Sequence, residues 1–314
     1  MTGKIYKSTG SWYVVKTADG RFWNSRLRGL FKTDGITSTN PLAVGDDVDI
    51  QPEPGEEGSA VISGIHERNN YINRQSPHHR MQHHIVAANI DQSLLVATLK
   101  EPRTSQGFVD RFLVTCEAYH VPAVLLVNKT DLYRAKEREK LAEWLQMYPA
   151  IGYRVIPMSV KTGQGLDDAA TLLTGKISLL SGHSGVGKSS FLNAAFPEMK
   201  LKTQEVSGWS GKGMHTTTFA EMLDLPADAE GSPRGQVIDT PGMREFGLVD
   251  ITKAELSGYF PEMRVFAGGC QFNNCLHVEE PGCVVKDAVR DGRIAEDRYV
   301  SYRHILDSID EKHY

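Results

Sequence analysis

Residues 182 to 189 read GHSGVGKS and fit the pattern G-x-x-x-x-G-K-[ST]. They follow the apolar run KISLLSG and lead into KSSFLNAAF, which has the pattern of a short helix. Glycines at these positions allow a tight loop whose backbone N–H groups face phosphate oxygens. In such a loop Lys188 would reach the β- and γ-phosphates of a nucleotide, and the Ser189 hydroxyl would bind Mg²⁺. The alternative is a glycine-rich turn that only caps a helix.

A second motif is expected to select the base. Residues 128 to 131, NKTD, follow the apolar run AVLLV. A carboxylate at Asp131 can accept from both guanine N1–H and the guanine 2-amino group, whereas adenine has no donor at either place. A buried acceptor left unpaired costs about 1–3 kcal/mol, which disfavours ATP. Lys129 is expected to lie along the base plane, and Asn128 is expected to brace the loops.

Three shorter matches complete the pattern of a nucleotide switch. The stretch MSVKTG, with Ser159, matches the second base-contacting loop of GTPases. In DTPG, Asp239 is expected to hold Mg²⁺ through water, and the Gly242 amide is expected to face the γ-phosphate. A threonine that closes over Mg²⁺ is expected within residues 216–218, and Thr217 is favoured. Five matches on suitable elements predict a GTPase.

The order of the motifs is unusual, because the base-reading motif precedes the phosphate loop by about fifty residues. This order corresponds to a circular permutation, which is inexpensive when the original chain ends lie close together at the surface. The chain then leaves the domain directly after the γ-phosphate sensor. The carboxyl-terminal segment is therefore tethered to the part that moves on hydrolysis.

That segment contains a cysteine-rich loop with the spacing C-x₄-C-x-H-x₅-C, formed by Cys270, Cys275, His277 and Cys283. Three thiolates and one imidazole are the ligands of a closed, tetrahedral structural zinc site. In a reducing compartment such clustering favours one zinc ion over disulfides. Buried cysteines without a metal are the alternative. Cys116, in the apolar pattern of a helix, is expected in the core.

Four regions are predicted. Residues 1–66 contain five short strand patterns, which suit an OB-type β-barrel and suit an SH3-like barrel almost as well. Residues 67–84 are polar and are expected to form a basic linker. Residues 85–250 alternate buried strands with helices, as in a doubly wound α/β P-loop domain. Residues 251–314 are expected to form an α-helical zinc-binding lobe. A metal site in the linker is the disfavoured alternative for His78, His79, His83 and His84.

Composition restricts the partners. The chain has 314 residues and a net charge of −4, so contacts with nucleic acid must come from local patches. It lacks an apolar run near the roughly 20 residues of a membrane helix and a secretion-signal pattern, so a cytoplasmic protein without membrane contact is expected. Stacking on RNA is one use of the barrel aromatics, although about half of them are expected in the core. These aromatics are Trp12, Tyr13, Phe22 and Trp23, beside Arg21, Arg26 and Arg28.

The combined order of barrel, NKTD, GHSGVGKSS, HTTT, DTPG and cysteine loop resembles the RsgA (YjeQ) family of bacterial small ribosomal subunit biogenesis GTPases. The resemblance covers essentially the full length. It implies a monomer that acts in late maturation of the 30S subunit, contacts 16S rRNA in the GTP state and leaves on hydrolysis, with hydrolysis stimulated by 30S. Two alternatives stay open: an RNA-binding switch gated by GTP with negligible turnover, and a regulator of another assembly through protein contacts.

The motifs and the resemblance together define the expected site. In many GTPases a glutamine after the γ-phosphate sensor orients the attacking water, but here that position is Met243. Slow intrinsic hydrolysis is therefore expected, with His215, Lys188 and Thr217 as the catalytic residues and Ser189, Thr217 and Asp239 around Mg²⁺. The expected contacts with GTP or GDP are Asn128, Lys129, Thr130, Asp131, Ser159, Val160, Lys161, Gly182, His183, Ser184, Gly185, Val186, Gly187, Lys188, Ser189, Ser190, Asp239 and Gly242.

Overall fold

Three folded regions succeed one another along the chain: a β-barrel, an α/β domain and a helical lobe. The computed structural model describes residues 1–9, 11–27, 41–75, 83–202, 220–228, 231, 234–239 and 251–309. In these ranges, each helix is too short or too polar to cross a bilayer. The predicted fold class is confirmed.

The amino-terminal barrel is closed by five strands. They are β1 (Thr2–Ser8), β2 (Tyr13–Thr17), β3 (Phe22–Leu27), β4 (Asp47–Pro52) and β5 (Ser59–Ile65). Their neighbour order is β1-β2-β3-β5-β4, and β4 returns to pair with β1. Only β3 and β5 run parallel among these pairs. A five-stranded Greek-key ring of this kind is the OB arrangement rather than the SH3-like one.

Alternation along the strands sorts the barrel aromatics. Tyr13 is fully buried in the barrel core, and Trp23 is half-buried against it. Trp12 and Phe22 lie outside, with 48% and 54% of their surface exposed. Successive strand residues point to opposite faces, which explains why neighbouring aromatics separate in this way.

The segment predicted as a linker contains ordered structure. Strands β6 (Tyr71–Gln75) and β7 (His83–Ala88) form a two-stranded antiparallel sheet, and the expected boundary at residue 85 falls inside β7. Arg68, ahead of β6, places two guanidinium nitrogens 2.6 Å from the two carboxylate oxygens of buried Asp46. This ion pair fastens the segment to the barrel. His78 and His79 lie outside the described residues.

The α/β domain is built on a six-stranded, mostly parallel sheet. Its strands are β8 (Gln92–Ala97), β9 (Ala123–Val127), β10 (Arg154–Pro157), β11 (Lys176–Ser181), β12 (Glu221–Asp224) and β13 (Gly235–Asp239). The spatial order is β10-β9-β8-β11-β13-β12, and only β12 runs antiparallel to its neighbour β13.

Helices cover both faces of this sheet. They are α1 (Gln106–Ala118), α2 (Ala135–Ala150), α3 (Leu166–Thr171) and α4 (Lys188–Ala195). Apolar residues of α1 and α2 pack on one face of the sheet, and those of α3 and α4 pack on the other. Every residue of β8 is buried, as expected for a strand covered on both sides. Cys116 lies in the α1 core, as predicted.

The carboxyl-terminal lobe is helical. It contains α5 (Lys253–Leu256), α6 (Pro261–Ala267), α7 (Val284–Arg290) and α8 (Glu296–Asp307). The core of the lobe includes Val114 of α1, so the lobe packs directly on the α/β domain.

The barrel meets the α/β domain along β12. Lys7 of β1 pairs with Glu221 of β12, so one eleven-stranded sheet runs through both regions. Beside this pair, Asp224 accepts from the Tyr6 hydroxyl at 2.7 Å and from the Lys16 ammonium at 2.5 Å. In the sequence, strand β12 begins three residues after the last of the threonines 216–218, one of which is the predicted Mg²⁺ ligand.

Candidate nucleotide site and metal centre

The loop between β11 and α4 requires glycine at both ends. Gly182 has φ of +139°, and a Cβ there would lie 2.4 Å from the Val96 carbonyl oxygen. Gly187 has φ of +100°, and a Cβ there would lie 2.5 Å from the Asn128 amide nitrogen. Both conformations are strained for other residues. The result is a backbone cradle against the ends of β8 and β9, where backbone N–H groups can face an anion.

Lys188 is held inside this loop. Its ammonium donates to the carbonyl oxygens of Gly182 at 2.7 Å and His183 at 3.2 Å. Burial lowers the pKa of Lys188, and the charge of Asp239 partly offsets that effect. Ser189 and Ser190 come next, on the first turn of α4. Val186 is fully buried, whereas Ser184 is exposed at the tip of the loop next to Gly185.

Asn128 connects the base-reading motif to two other loops. Its amide nitrogen donates to the Val186 carbonyl oxygen at 2.8 Å, and its amide oxygen accepts from the Val160 N–H at 3.3 Å. The side chain is 2% exposed, so these bonds form away from solvent. Three segments that are distant in the chain therefore meet at one amide.

Asp131 stands exposed on the short turn Thr130–Leu132. One of its carboxylate oxygens accepts from the Ser159 hydroxyl at 2.7 Å, which leaves the other oxygen as an acceptor. Lys129, with φ of +64°, donates to the Glu101 carbonyl oxygen at 2.5 Å. Lys161 is exposed beside Val160. The arrangement suits a flat ligand that carries two adjacent donors.

Asp239 ends β13 at the same edge of the sheet as the phosphate loop. Its Cα partner in β11 is Leu180, two residues before Gly182. The Ser189 hydroxyl and the Asp239 carboxylate are hard oxygen donors, the kind that Mg²⁺ prefers together with nucleotide phosphates. The donor set therefore fits Mg²⁺. Outside the described residues lie His215, the threonines 216–218, Gly242 and Met243.

The four predicted metal ligands come together in the carboxyl-terminal lobe. The ligand atoms of Cys270, Cys275, His277 and Cys283 all lie within 4.8 Å of one another. Cys270 Sγ is 3.9 Å from Cys283 Sγ and 3.6 Å from His277 Nδ1, and Cys283 Sγ is 3.4 Å from His277 Nδ1. Zinc bond lengths in a tetrahedron imply edges of about 3.7 Å between sulfurs and about 3.5 Å between sulfur and nitrogen. The cluster can hold one metal ion.

Neighbouring groups hold the ligand loop in this shape. The hydroxyls of Tyr299 and Tyr302 on α8 each donate at 2.7 Å, to the carbonyl oxygens of His277 and Leu276. The Glu280 carboxylate accepts from two backbone N–H groups of the loop. Burial lowers the pKa of His277, which favours the neutral imidazole that a metal requires.

A buried ionic cluster, formed by Asp110, Glu262 and Arg298, was not predicted from the sequence. The Arg298 guanidinium places nitrogens 2.6 Å from Glu262 Oε1 and 2.6 Å from Asp110 Oδ1. Asp110 also accepts from the Tyr148 hydroxyl at 2.8 Å, and all three charged residues are buried. The one available signal was an aspartate inside the apolar helix pattern GFVDRFLV. The cluster joins α1 to α6 and α8.

Comparison with known proteins places this architecture in a family. Residues 65–249 match the family described as RsgA GTPase, and residues 2–60 match the RsgA N-terminal domain. The chain belongs to the RsgA GTPase family. The protein is therefore a GTPase that takes part in ribosome biogenesis, as the motifs and the resemblance predicted.

Curated relatives and solved structures match nearly the whole chain. The small ribosomal subunit biogenesis GTPase RsgA of Christiangramia forsetii is 47% identical over 100% of this chain and 98% of its own length. The RsgA of Cytophaga hutchinsonii is 50% identical, with 98% of each covered. YjeQ from Thermotoga maritima superposes with a TM-score of 0.76 at 34% identity, covering 99% of both chains. YloQ, described as a circularly permuted GTPase, gives 0.71 at 30%, covering 100% and 96%. The predicted permutation is confirmed.

Proposed function

We propose that this chain hydrolyses GTP during late maturation of the small ribosomal subunit. It binds the 30S subunit and 16S rRNA in its GTP state, and hydrolysis releases it. Support comes from the names of the full-length relatives, which refer to biogenesis of that subunit. The observation that carries the proposal is the meeting of three nucleotide loops at Asn128. We place the protein in the cytoplasm, as a monomer beside assembling subunits.

In the proposed site, Asp131 reads the guanine edge while Lys129 and the loop from Ser159 to Lys161 flank the base. The backbone from Gly182 to Ser190 surrounds the phosphates, with Lys188 directed at the β- and γ-phosphates. Mg²⁺, bound with GTP, would be held by Ser189 and, through water, by Asp239, with Thr217 as the switch ligand. When bound, the ion would supply positive charge that offsets the charge of the phosphates.

The barrel is proposed as an RNA-binding surface. Trp12 and Phe22 are exposed aromatics on which bases can stack. Arg21, next to Phe22 in the chain, and Arg26 on β3 offer charge for phosphates, although Arg26 is also 2.6 Å from Glu53. The Phe22 ring packs edge-on against Tyr6, whose hydroxyl reaches β12. Tyr6 therefore lies between Phe22, where RNA would make contact, and the junction with the α/β domain.

We assign structural zinc to the Cys270, Cys275, His277 and Cys283 cluster. Three thiolates with one imidazole favour zinc over magnesium or calcium, which prefer oxygen ligands. Four protein ligands leave no open position for a substrate, so the ion would support the lobe rather than take part in hydrolysis.

Co-sedimentation with purified 30S subunits tests the proposal. The protein should pellet with 30S in a non-hydrolysable GTP analogue and stay in the supernatant with GDP. Equal pelleting in both nucleotides would contradict release on hydrolysis. Strong nucleotide-dependent pelleting without any 30S-stimulated turnover would favour the binding switch, and the absence of pelleting would favour a different assembly as the partner.

Catalysis within the proposed complex involves His215. Met243 can neither donate nor accept a useful hydrogen bond, whereas the imidazole of His215, just before the threonines in the sequence, could orient water. The His215→Ala variant should keep its slow basal hydrolysis and its GTP affinity but lose the stimulation by 30S. Steady-state phosphate release with and without 30S measures both rates. Equal stimulation of variant and wild type would remove His215 from the mechanism.

A further inference from the structure

His183, the first variable residue of the phosphate loop, stacks on an aromatic ring of another element. Its imidazole centroid lies 3.9 Å from the Phe108 ring centroid, and the two planes meet at 33°. Both side chains are half-buried. The two rings are tilted and in close contact, and aromatic pairs contribute about 0.5–1.5 kcal/mol beyond the burial of area.

The backbone of His183 also contacts the phosphate-loop lysine. The His183 and Gly182 carbonyl oxygens accept from the Lys188 ammonium. Gly182, on one side of His183, has φ of +139°, a region open chiefly to glycine, and it has no side chain that could hold this stretch. A side chain held at His183 therefore restrains the carbonyl groups that hold Lys188.

Phe108 provides a rigid support for that side chain. It lies in the first turn of α1, where its N–H donates to the Ser105 hydroxyl that caps the helix. The next residue, Val109, is fully buried in the core of the α/β domain. Asp110, two residues on, is tied to Arg298 in the buried ionic cluster. The helix turn that carries Phe108 is thus fixed, and its side chain packs against the core of the α/β domain.

We infer that His183 and Phe108 are positioning residues for GTP hydrolysis, whose ring stack aligns Lys188 with the β- and γ-phosphates. This inference rests on the proposed function, because it requires nucleotide in the phosphate loop. The imidazole acts through its flat face rather than as an acid or a base. Burial and the neighbouring Lys188 charge both lower the pKa of His183, so the stacked ring is neutral near pH 7 and adds no charge to the site.

Two contrasting substitutions at one position test the inference. His183→Ala removes the ring, whereas His183→Phe keeps a flat ring that can stack on Phe108. From the energy of one aromatic pair, the alanine variant should bind GTP about two- to twelvefold more weakly. Its kcat should also fall, since Lys188 stabilises charge that develops on the phosphates. GDP affinity should change less, because GDP lacks the γ-phosphate. The phenylalanine variant should recover most of the GTP affinity and kcat that the alanine variant loses.

A second position and a remote control separate a local effect from a loss of folding. Phe108→Leu keeps an apolar side chain but removes the stack, and it should reproduce the selective loss of GTP affinity. Tyr71→Leu truncates another ring pair, with Tyr119, whose centroids are 5.3 Å apart, and it should leave the nucleotide constants unchanged. Fluorescent GTP and GDP titrations with single-turnover hydrolysis give the values.

Three results would overturn the inference: full GTP affinity and kcat in His183→Ala, equal damage in His183→Phe and His183→Ala, or equal loss of GTP and GDP. The first would mean that the ring contact does not affect Lys188, and the second would mean that the imidazole nitrogens, rather than the flat ring, are required. The third would mean a general loosening of the loop. Lys188→Ala must itself weaken GTP binding; if it does not, the proposed nucleotide site fails rather than the stack alone.

Discussion

The buried amide of Asn128 has a structural task that is separate from base reading. It satisfies the Val186 carbonyl group of the phosphate loop and the Val160 N–H of the second base loop. Since both partners are backbone groups in partly or fully buried segments, losing the amide would leave them without these hydrogen bonds. Base selection itself is assigned to the exposed Asp131. The two residues of one motif therefore differ in what their substitution should do.

At Asp131, substitution by asparagine should change which base is preferred. Asp131→Asn replaces one acceptor oxygen with an amide donor, which suits the 2-carbonyl group of xanthine and opposes the 2-amino group of guanine. We expect GTP binding to weaken by about 1–3 kcal/mol and XTP binding to improve. Competition titrations with GTP and XTP measure the switch. Undiminished preference for GTP would contradict the assignment of Asp131.

At the scale of residues, the motifs could be found in the sequence because their spacing is local. Gly182 to Ser189 and the four metal ligands each lie within one loop. The stack of His183 on Phe108 and the hydrogen bond from Ser159 to Asp131 could not be found in this way. Both depend on how distant strands align at one edge of the sheet, which local spacing does not encode.

At the scale of elements, the metal loop links α6 to α7 and is clamped by α8. Cys283 is both a proposed metal ligand and the residue that caps α7, where its sulfur accepts from the Lys286 N–H. Metal binding should therefore be coupled to the order of the whole lobe.

Substitution of one metal ligand should separate the lobe from the nucleotide site. Cys275→Ala leaves three ligands and should lose the metal, loosen the lobe and abolish 30S binding while GTP binding persists. Metal analysis of the wild type should find about one zinc per chain. Fluorescent nucleotide titration checks the second half of the prediction. Loss of nucleotide binding along with zinc would instead make the lobe part of the α/β core.

The buried ionic cluster should make a large contribution to the attachment of the same lobe. Arg298→Met would leave Asp110 and Glu262 buried without their cation, at a cost of about 3–5 kcal/mol. Urea unfolding, followed by tryptophan fluorescence, measures the loss. The matched control is Arg290→Met, whose pair with Asp287 is exposed and should contribute no more than about 1 kcal/mol. Similar small losses in both variants would show that the cluster is not essential to the lobe.

The elements differ in how well the sequence predicts them. Strand β8 and helix α1 have clear apolar patterns and fit the alternation of buried strands and helices predicted for residues 85–250. Residues 67–84 read as a linker because their polar composition has no apolar alternation. They nevertheless include β6 and part of β7, because the two strands pair with each other and Arg68 is tied to buried Asp46. Tertiary pairing of this kind overrides local propensity.

At the largest scale, the β1–β12 pairing joins the barrel to the α/β domain, and the Asp224 carboxylate adds polar contacts to that junction. Burial raises the pKa of Asp224, but the hydrogen bonds from Lys16 and Tyr6 outweigh burial, so its pKa lies below the ordinary value of 3.8. A carboxyl group with a lowered pKa stabilises the folded state above its unfolded pKa. That contribution is lost as the pH falls below 3.8 and then through the lower pKa that Asp224 has in the folded state.

The junction should therefore weaken in acid. We expect Asp224→Asn to melt at a lower temperature than wild type at pH 6, because it lacks the ion pair with Lys16. The difference should shrink below about pH 4 as wild-type Asp224 takes up a proton. Melting temperatures of both proteins from pH 6 to pH 3 measure this convergence. A gap that stays constant over that range would show that Asp224 is not the acid-sensitive group.

The permuted order also determines how long parts of the nascent chain wait for their partners during synthesis. Ser178 of β11, which pairs beside Gln92 of β8, is made 86 residues after it, a delay of about 4–17 s at 5–20 residues per second. Val186 is synthesised 58 residues after its partner Asn128, and Asp224 is synthesised 218 residues after its partner Tyr6. The barrel, by contrast, is complete once β5 has been made. During synthesis, a complete barrel therefore precedes a sheet of which only β8, β9 and β10 have been made. Guanine nucleotide cannot stabilise these strands before the phosphate loop has been synthesised.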